Sequence, residues 1–477
     1  MVYDGFAVRN IIYFIAVMQT AIAPLAFVYH VYYLITTQAL FSTHIPIIDS
    51  LMDTWLKIEL IFYIYFQVTW NRMQSLLPPV KPGLKARRRL FHNTINNITD
   101  IDDWITGWFL KPNGRPPCLQ EIRRENLAEW VAWAFFAKPL ESVLEDVEET
   151  DQVQWMTDSL ISKFCLELQP GYDEDIRAIR LTLDPVQAYH RPLAFYICMA
   201  SITFMIHHVL FERYWRMQRY QCGHLSYWLR SGGAKKSDNK KPIVFIHGIG
   251  PGFLPYIKFL CNLLRLDDGA SDVFCVELPH VSMRCIEHAP TMHQTVRDLR
   301  FMLAYHGYRD AVFVAHSLGT GVVSWVLQHS PKTVASVVML DPICFMLHYK
   351  DVCYNFVYRI PKTASEYIVK FFASTELYIS YYISRHFHWF QLALYVTPSY
   401  LANSPYASTT TITMPRNTKI FLSEHDNIVH SDRVHDYLVT NAIDSTIMEG
   451  MDHGWFLLRS SWQCEIMAAV KEFASNV

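Results

Sequence analysis

The chain predicts an α/β fold: a doubly wound, mainly parallel sheet in its C-terminal half, preceded by a membrane-associated helical N-terminal region. Three observations carry that prediction. Short apolar runs alternate with helical rhythm from residue 242 to the end, the pattern of parallel strands joined by crossover helices. Within it, residues 311–321 read Ala-Val-Phe-Val-Ala-His-Ser-Leu-Gly-Thr-Gly, an apolar strand that turns straight into a helix at Ser317. Near the other end, residues 10–48 contain no Asp, Glu, Lys or Arg.

Composition frames these signals. A chain of 477 residues exceeds one compact core, so two or three domains are expected. Its residues are 51% hydrophobic and 14% aromatic, high for a soluble enzyme. A formal charge of -2 and a pI near 6.9 give no sign of a polyanionic partner, so no nucleic-acid binding is expected. The ten cysteines form no C-x-x-C pair, which argues against a zinc site or a disulfide framework and suits a reducing compartment. No metal, no cofactor and no specific protein partner is indicated.

Residues 1–72 read as a membrane anchor. The run 11–35 is long enough to cross the ~30 Å hydrocarbon core, and too long for the apolar core of a signal peptide. Tyr29, Tyr32 and Tyr33 cluster near its end like an interfacial belt. Residues 51–70 form an amphipathic helix, with Asp49, Asp53 and Lys57 in one stripe and Trp55, Ile58 and Phe62 opposite, suited to lie in the interface. The basic run 85–89, Lys-Ala-Arg-Arg-Arg, favours the cytosolic side. Residues 73–190 are a mostly helical region with no catalytic constellation. Residues 191–212 are a second hydrophobic segment, either a span or a buried helix. Arg213, Arg216 and Arg219 follow it, so both basic clusters stay cytosolic only if this segment does not cross. The expectation is one span, a catalytic domain on the cytosolic face, and residues 191–212 packed against protein.

After a linker at 231–241, residues 242–246 are a buried strand that runs into His247-Gly248-Ile249-Gly250. A glycine turn there can aim a backbone N–H at a developing oxyanion. It lacks the lysine and the glycine spacing of phosphate loops. The elbow at 311–321 comes next. Small neighbours crowd Ser317, and a strand-to-helix corner lifts such a serine above the sheet. Ala315 stands where the G-x-S-x-G pattern has its first glycine. After the strand at 334–340, residues 343–415 break the alternation with a helical, aromatic-rich stretch. It reads as a lid over an apolar pocket, facing the bilayer, or as a plain helical subdomain. Strands then resume before Asp426 and before His453. Ser, Asp, His is the triad order of one fold class. Asp341, which ends the strand after the elbow, is the competing acid; Asp426 is preferred because Asp341 is followed by Pro342 and opens the insertion.

Residues 242–477 resemble α/β-hydrolases of the lipase/esterase type. The resemblance is carried by His247-Gly248-Ile249-Gly250, Ala315-His316-Ser317-Leu318-Gly319, Asp426 and Asp452-His453-Gly454. It covers about half the chain and implies a serine ester hydrolase acting on lipid or other acyl esters at a membrane. Ser317 is then the nucleophile, His453 the base and Asp426 its orienting acid. The N–H groups of Leu318 and of Ile249 or Gly250 form the oxyanion hole. His316, His425 and His430 read as packing or surface residues. Two other readings fit the chain. One is a lipid acyltransferase using the same triad; its H-x-x-x-x-D signature occurs at His44/Asp49 and His293/Asp298 without supporting context. The other is an inactive membrane interaction protein, which a complete triad disfavours.

Overall fold

The computed structural model describes residues 6–36, 43–232, 240–398 and 411–475. Its centre is an eight-stranded sheet: β1 (Gln218–Cys222), β2 (Leu225–Arg230), β3 (Ile243–Ile246), β4 (Val273–Glu277), β5 (Ala311–His316), β6 (Val334–Leu340), β7 (Thr418–Ser423) and β8 (Ser445–Met448). The spatial order is β8-β7-β6-β5-β3-β4-β2-β1. β1 and β2 pair antiparallel, as do β2 and β4; the remaining pairs are parallel. The central strands are apolar on both faces, as strands covered by helices on both sides must be. Alternation sorts their side chains into two cores. Val244, Ile246, Phe313 and Ala315 face one; Ile243, Phe245, Val312 and Val314 face the other.

The sheet begins earlier than residue 242, the expected boundary. Gly223-His224 joins β1 to β2 in a two-residue loop, with Gly223 at φ 58°. β1 is an edge strand, so its outer side carries Gln218, Arg219 and Gln221, and such polar edges hide a strand from a hydrophobicity reading. Most of the expected linker lies outside the described residues.

The longer helices before residue 190 are α1 (Phe6–Thr36), α2 (Pro46–Met73), α3 (Leu84–Asn96), α4 (Arg124–Phe136) and α5 (Val147–Phe164). α2 is longer than the 51–70 read from its stripe, and its Asp53 pairs with Lys57 at 2.7 Å. In α4 every side chain from Asn126 to Phe136 is buried. Trp104 and Trp108 pack against its Trp130 and Trp133, in one continuous core with the sheet.

α6 (Leu193–Met205) continues as a π-helical turn, Ile206–Tyr214. Glu59 of α2 accepts the Leu193 N–H at 2.9 Å, and Tyr196 donates to Glu376 at 2.7 Å. At the other end Ile206 and Phe211 enter the core beneath the sheet. Both ends of this apolar helix therefore rest on the same body.

Helices α7 (Ile257–Leu264), α8 (Met292–Tyr305) and α9 (Leu318–His329) cross between strands. The segment after β6 carries π turns at Tyr354–Tyr358 and Lys370–Ser374, the latter continuing α10 (Ala364–Val369), and then α11 (Leu377–His386). α12 (Ser431–Thr440) and α13 (Ser460–Ser475) complete the chain. Several aromatic residues of the 343–415 segment, expected to face the bilayer, turn inward instead. Tyr378, Tyr382, Phe387 and Trp389 are buried, and Trp389 Nε1–H donates to Ala134 O at 3.0 Å. The N-terminal helices claim that surface first. Exposed apolar side chains lie instead on α1 (Phe14, Leu25, Val28), α2 (Leu51, Ile61, Ile64) and α6 (Ile197, Phe204, Met205). Residues 399–410 of the segment lie outside the described residues.

Candidate active site

Ser317 sits between β5 and α9 at φ 51° and ψ −122°, a backbone region that costs a residue with a Cβ about 1–3 kcal/mol. Its N–H donates to Leu340 O at 3.0 Å, which ties the corner to β6. Two glycines permit the corner. A Cβ on Gly319 would lie 2.4 Å from Ile246 O, and one on Gly248 would lie 2.9 Å from the Ser317 Cβ. Ala315, the departure from the elbow pattern, is fully buried and in register with Ile246 and Met339.

The loop after β8 brings His453 over the serine. His453 Nε2 is 2.9 Å from Ser317 Oγ, and His453 Nδ1 is 2.7 Å from Asp426 Oδ2. Asp426 is fixed by its other oxygen, which accepts the N–H groups of Ile428 (2.7 Å) and Val429 (2.9 Å). Burial disfavours the imidazolium, but the Asp426 carboxylate and, behind it, Asp341 outweigh it and push His453 up to about 9. Asp341 is fully buried and accepts from Ser423 and from Gly454 N–H, not from a ring nitrogen of His453. A carboxylate oxygen of each aspartate and a nitrogen of His453 lie within 4.8 Å of one another. Both His453 nitrogens are hydrogen-bonded within the protein, to Ser317 and to Asp426.

Gly250 is not available as an oxyanion donor. Its N–H donates to Val281 O at 3.1 Å, while the Gly248 N–H is taken by Tyr256 OH at 2.9 Å. The N–H groups of Ile249 and Leu318 have no partner among the described residues.

His316, His425 and His430 take no part in the Ser317–His453–Asp426 hydrogen-bond chain. His316 is buried, with Nδ1 at 2.6 Å from Tyr256 OH. His425 is exposed, and His430 caps α12 by accepting the Arg433 N–H at 3.3 Å. The two H-x-x-x-x-D matches are not assembled: Asp298 holds the His224 N–H at 2.8 Å, His293 packs on His329, and Asp49 binds Thr43. Tyr256 and the Asp341 cluster were not legible in the sequence, because their partners lie far along the chain.

Beside Ser317 opens a cavity of about 300 Å³. Ile249, Met283, Ile343, Phe356, Phe372 and Phe387 are among its walls, and no Asp, Glu, Lys or Arg lines it. The two π turns after β6 supply much of its roof. A larger groove of about 790 Å³ between α3 and α9 contains none of these site residues.

Residues 241–396 match a family model described as the alpha/beta hydrolase fold. No curated protein sequence matches the chain. Among solved structures the chain is similar to a membrane phospholipase A described as a bacterial virulence factor, at 14% identity and a TM-score of 0.38, over 59% of this chain and 94% of that one. It is also similar to the carboxylesterase CesB from Bacillus subtilis, at 14% identity and a TM-score of 0.37, over 58% of this chain and 97% of that one. With its strand order, its elbow and the matched family model, the C-terminal half of the chain has the alpha/beta hydrolase fold.

Proposed function

We propose that the chain is a membrane-associated serine hydrolase that cleaves carboxylic esters of lipids through an acyl-enzyme. One observation carries the reading: the chain of hydrogen bonds from Ser317 through His453 to Asp426, at the mouth of an apolar cavity. In the mechanism it supports, Ser317 Oγ attacks the acyl carbonyl as its proton passes to His453 Nε2. Asp426 holds the ring in the required tautomer and stabilises the imidazolium. The N–H groups of Ile249 and Leu318 receive the oxyanion, each contributing roughly 3 kcal/mol. His453 then protonates the leaving alcohol, and water repeats the sequence on the acyl-enzyme. The cavity favours an acyl chain, with about 0.8 kcal/mol gained for each CH₂ it buries.

Membrane association is supported by α1, whose residues Arg9–Thr36 are long and apolar enough to span, and by the exposed apolar side chains of α2 and α6. Leu193–Tyr214 is also long and apolar enough to span, but residues between Leu90 and Leu181 share a core with the sheet, which favours both on one side of the bilayer and α6 on its surface. Ten free cysteines and the two basic clusters favour the cytosolic face.

Labelling by a fluorophosphonate probe tests the chemistry. The wild-type chain is expected to label and to hydrolyse a short acyl ester, and Ser317→Ala to do neither, with turnover lower by ~10³-fold or more. Near-normal turnover by the purified Ser317→Ala variant would sink the assignment.

A further inference from the structure

Asp341 is fully buried at the end of β6, where three separate segments close on it. Its Oδ1 accepts the Ser423 N–H at 2.7 Å, and its Oδ2 accepts the Ser423 hydroxyl at 3.0 Å and the Gly454 N–H at 2.7 Å. Ser423 leads into the loop that carries Asp426, and Gly454 directly follows His453. A fourth donor faces the same carboxylate. Tyr256 OH accepts the Gly248 N–H (2.9 Å) and is hydrogen-bonded to His316 Nδ1 (2.6 Å). Burial shifts His316 towards its neutral form. We assign the phenol as donor to Nδ1, which leaves the ring proton on Nε2, 3.8 Å from Asp341 Oδ2 and without a hydrogen-bond partner.

Burial alone would favour protonated Asp341; the facing His316 ring, the nearby His453 and the Gly454 N–H hold its carboxyl below the ordinary range. His453 thus has two carboxylates near it, Asp426 hydrogen-bonded to the ring and Asp341 within 4.8 Å without a hydrogen bond.

We propose that Asp341 is a positioning residue for ester hydrolysis: it fastens the acid loop and the histidine loop to the end of β6, beside the nucleophile's strand, and its charge makes His453 a stronger base than Asp426 alone would. The proposal rests on the serine-hydrolase reading above. The groups that bear on the His453 ring are Ser317 and His316 at the elbow, Asp341 from β6 and Asp426 from the loop after β7. Arg359 of the segment after β6 acts on Asp426 and is itself paired with Glu366 at 3.5 Å.

The test uses the detergent-purified full chain and a p-nitrophenyl butyrate probe from about pH 5 to about pH 10. Thermal unfolding and the rate of fluorophosphonate labelling are measured in parallel. Asp341→Asn keeps the side-chain volume and removes the charge. It is expected to lower kcat with KM little changed, and to move the acid limb of kcat/KM down by ~1 pH unit. Ser423→Ala keeps the charge and removes one fastening bond. It is expected to lower kcat roughly five- to tenfold with the limb in place. A folded Asp341→Asn variant whose limb stays with the wild type overturns the electrostatic role. Wild-type kcat in Ser423→Ala overturns the fastening role, and that variant decides the matter if Asp341→Asn fails to fold. A wild-type chain that neither labels nor hydrolyses overturns the hydrolase reading and this proposal with it. A wild type that labels beside two unaltered variants overturns the proposal alone.

Discussion

The strained Ser317 and the doubly flanked His453 give the site its chemical character. His453 must be neutral to accept the serine proton, and Asp426 and Asp341 favour its charged form. Activity is therefore lost as pH falls through a value above the usual ~6.5 of histidine. A plot of kcat/KM against pH is expected to show its acid limb in the alkaline range, approaching the about 9 of His453; a limb near ~6.5 would mean that the carboxylates do not act on the ring as the geometry implies. Ser317, Asp426 and His453 were readable from the sequence because each follows a strand end, and strand ends in a parallel sheet converge. Gly250 was a wrong candidate for a reason no local pattern carries: Val281, which accepts its N–H, belongs to a different turn. Asp341 looked like a rival acid because its place in the sequence shows its position but not its donors.

At the scale of elements, the parallel strands were legible, β8 at one edge included, and the antiparallel β1 and β2 at the other edge were not. β3 and β5 are continuous apolar runs, whereas β1 faces solvent and reads as polar chain. The aromatic stretch after β6 was correctly seen as unusual, but its partner was invisible, since aromatic content does not say which surface receives it. Trp389 supplies the link: it donates to Ala134 and packs edge-on against Phe135 of α4. Trp389→Ala is expected to cost about 3–5 kcal/mol, through lost burial and an orphaned carbonyl. Denaturant unfolding of the purified chain checks this. A change below about 1 kcal/mol would mean that the two segments are held together by other contacts.

At the scale of the whole molecule, N-terminal helices, sheet and inserted segment share one core while apolar side chains of α1, α2 and α6 remain uncovered. A protease-protection assay on sealed membranes is expected to find the catalytic domain degraded from the cytosolic side without detergent. Survival until detergent is added would place it across the bilayer and make α6 a true span. The shared core also has a consequence for biosynthesis. Ala134 and Trp389 are 255 residues apart, and translation runs at about 5–20 residues per second, so the end of α4 at Ala134 and Phe135 waits roughly 10–50 s for its partner. During that interval the nascent chain presents an uncovered apolar surface there, open to capture by a chaperone or by the adjacent lipid.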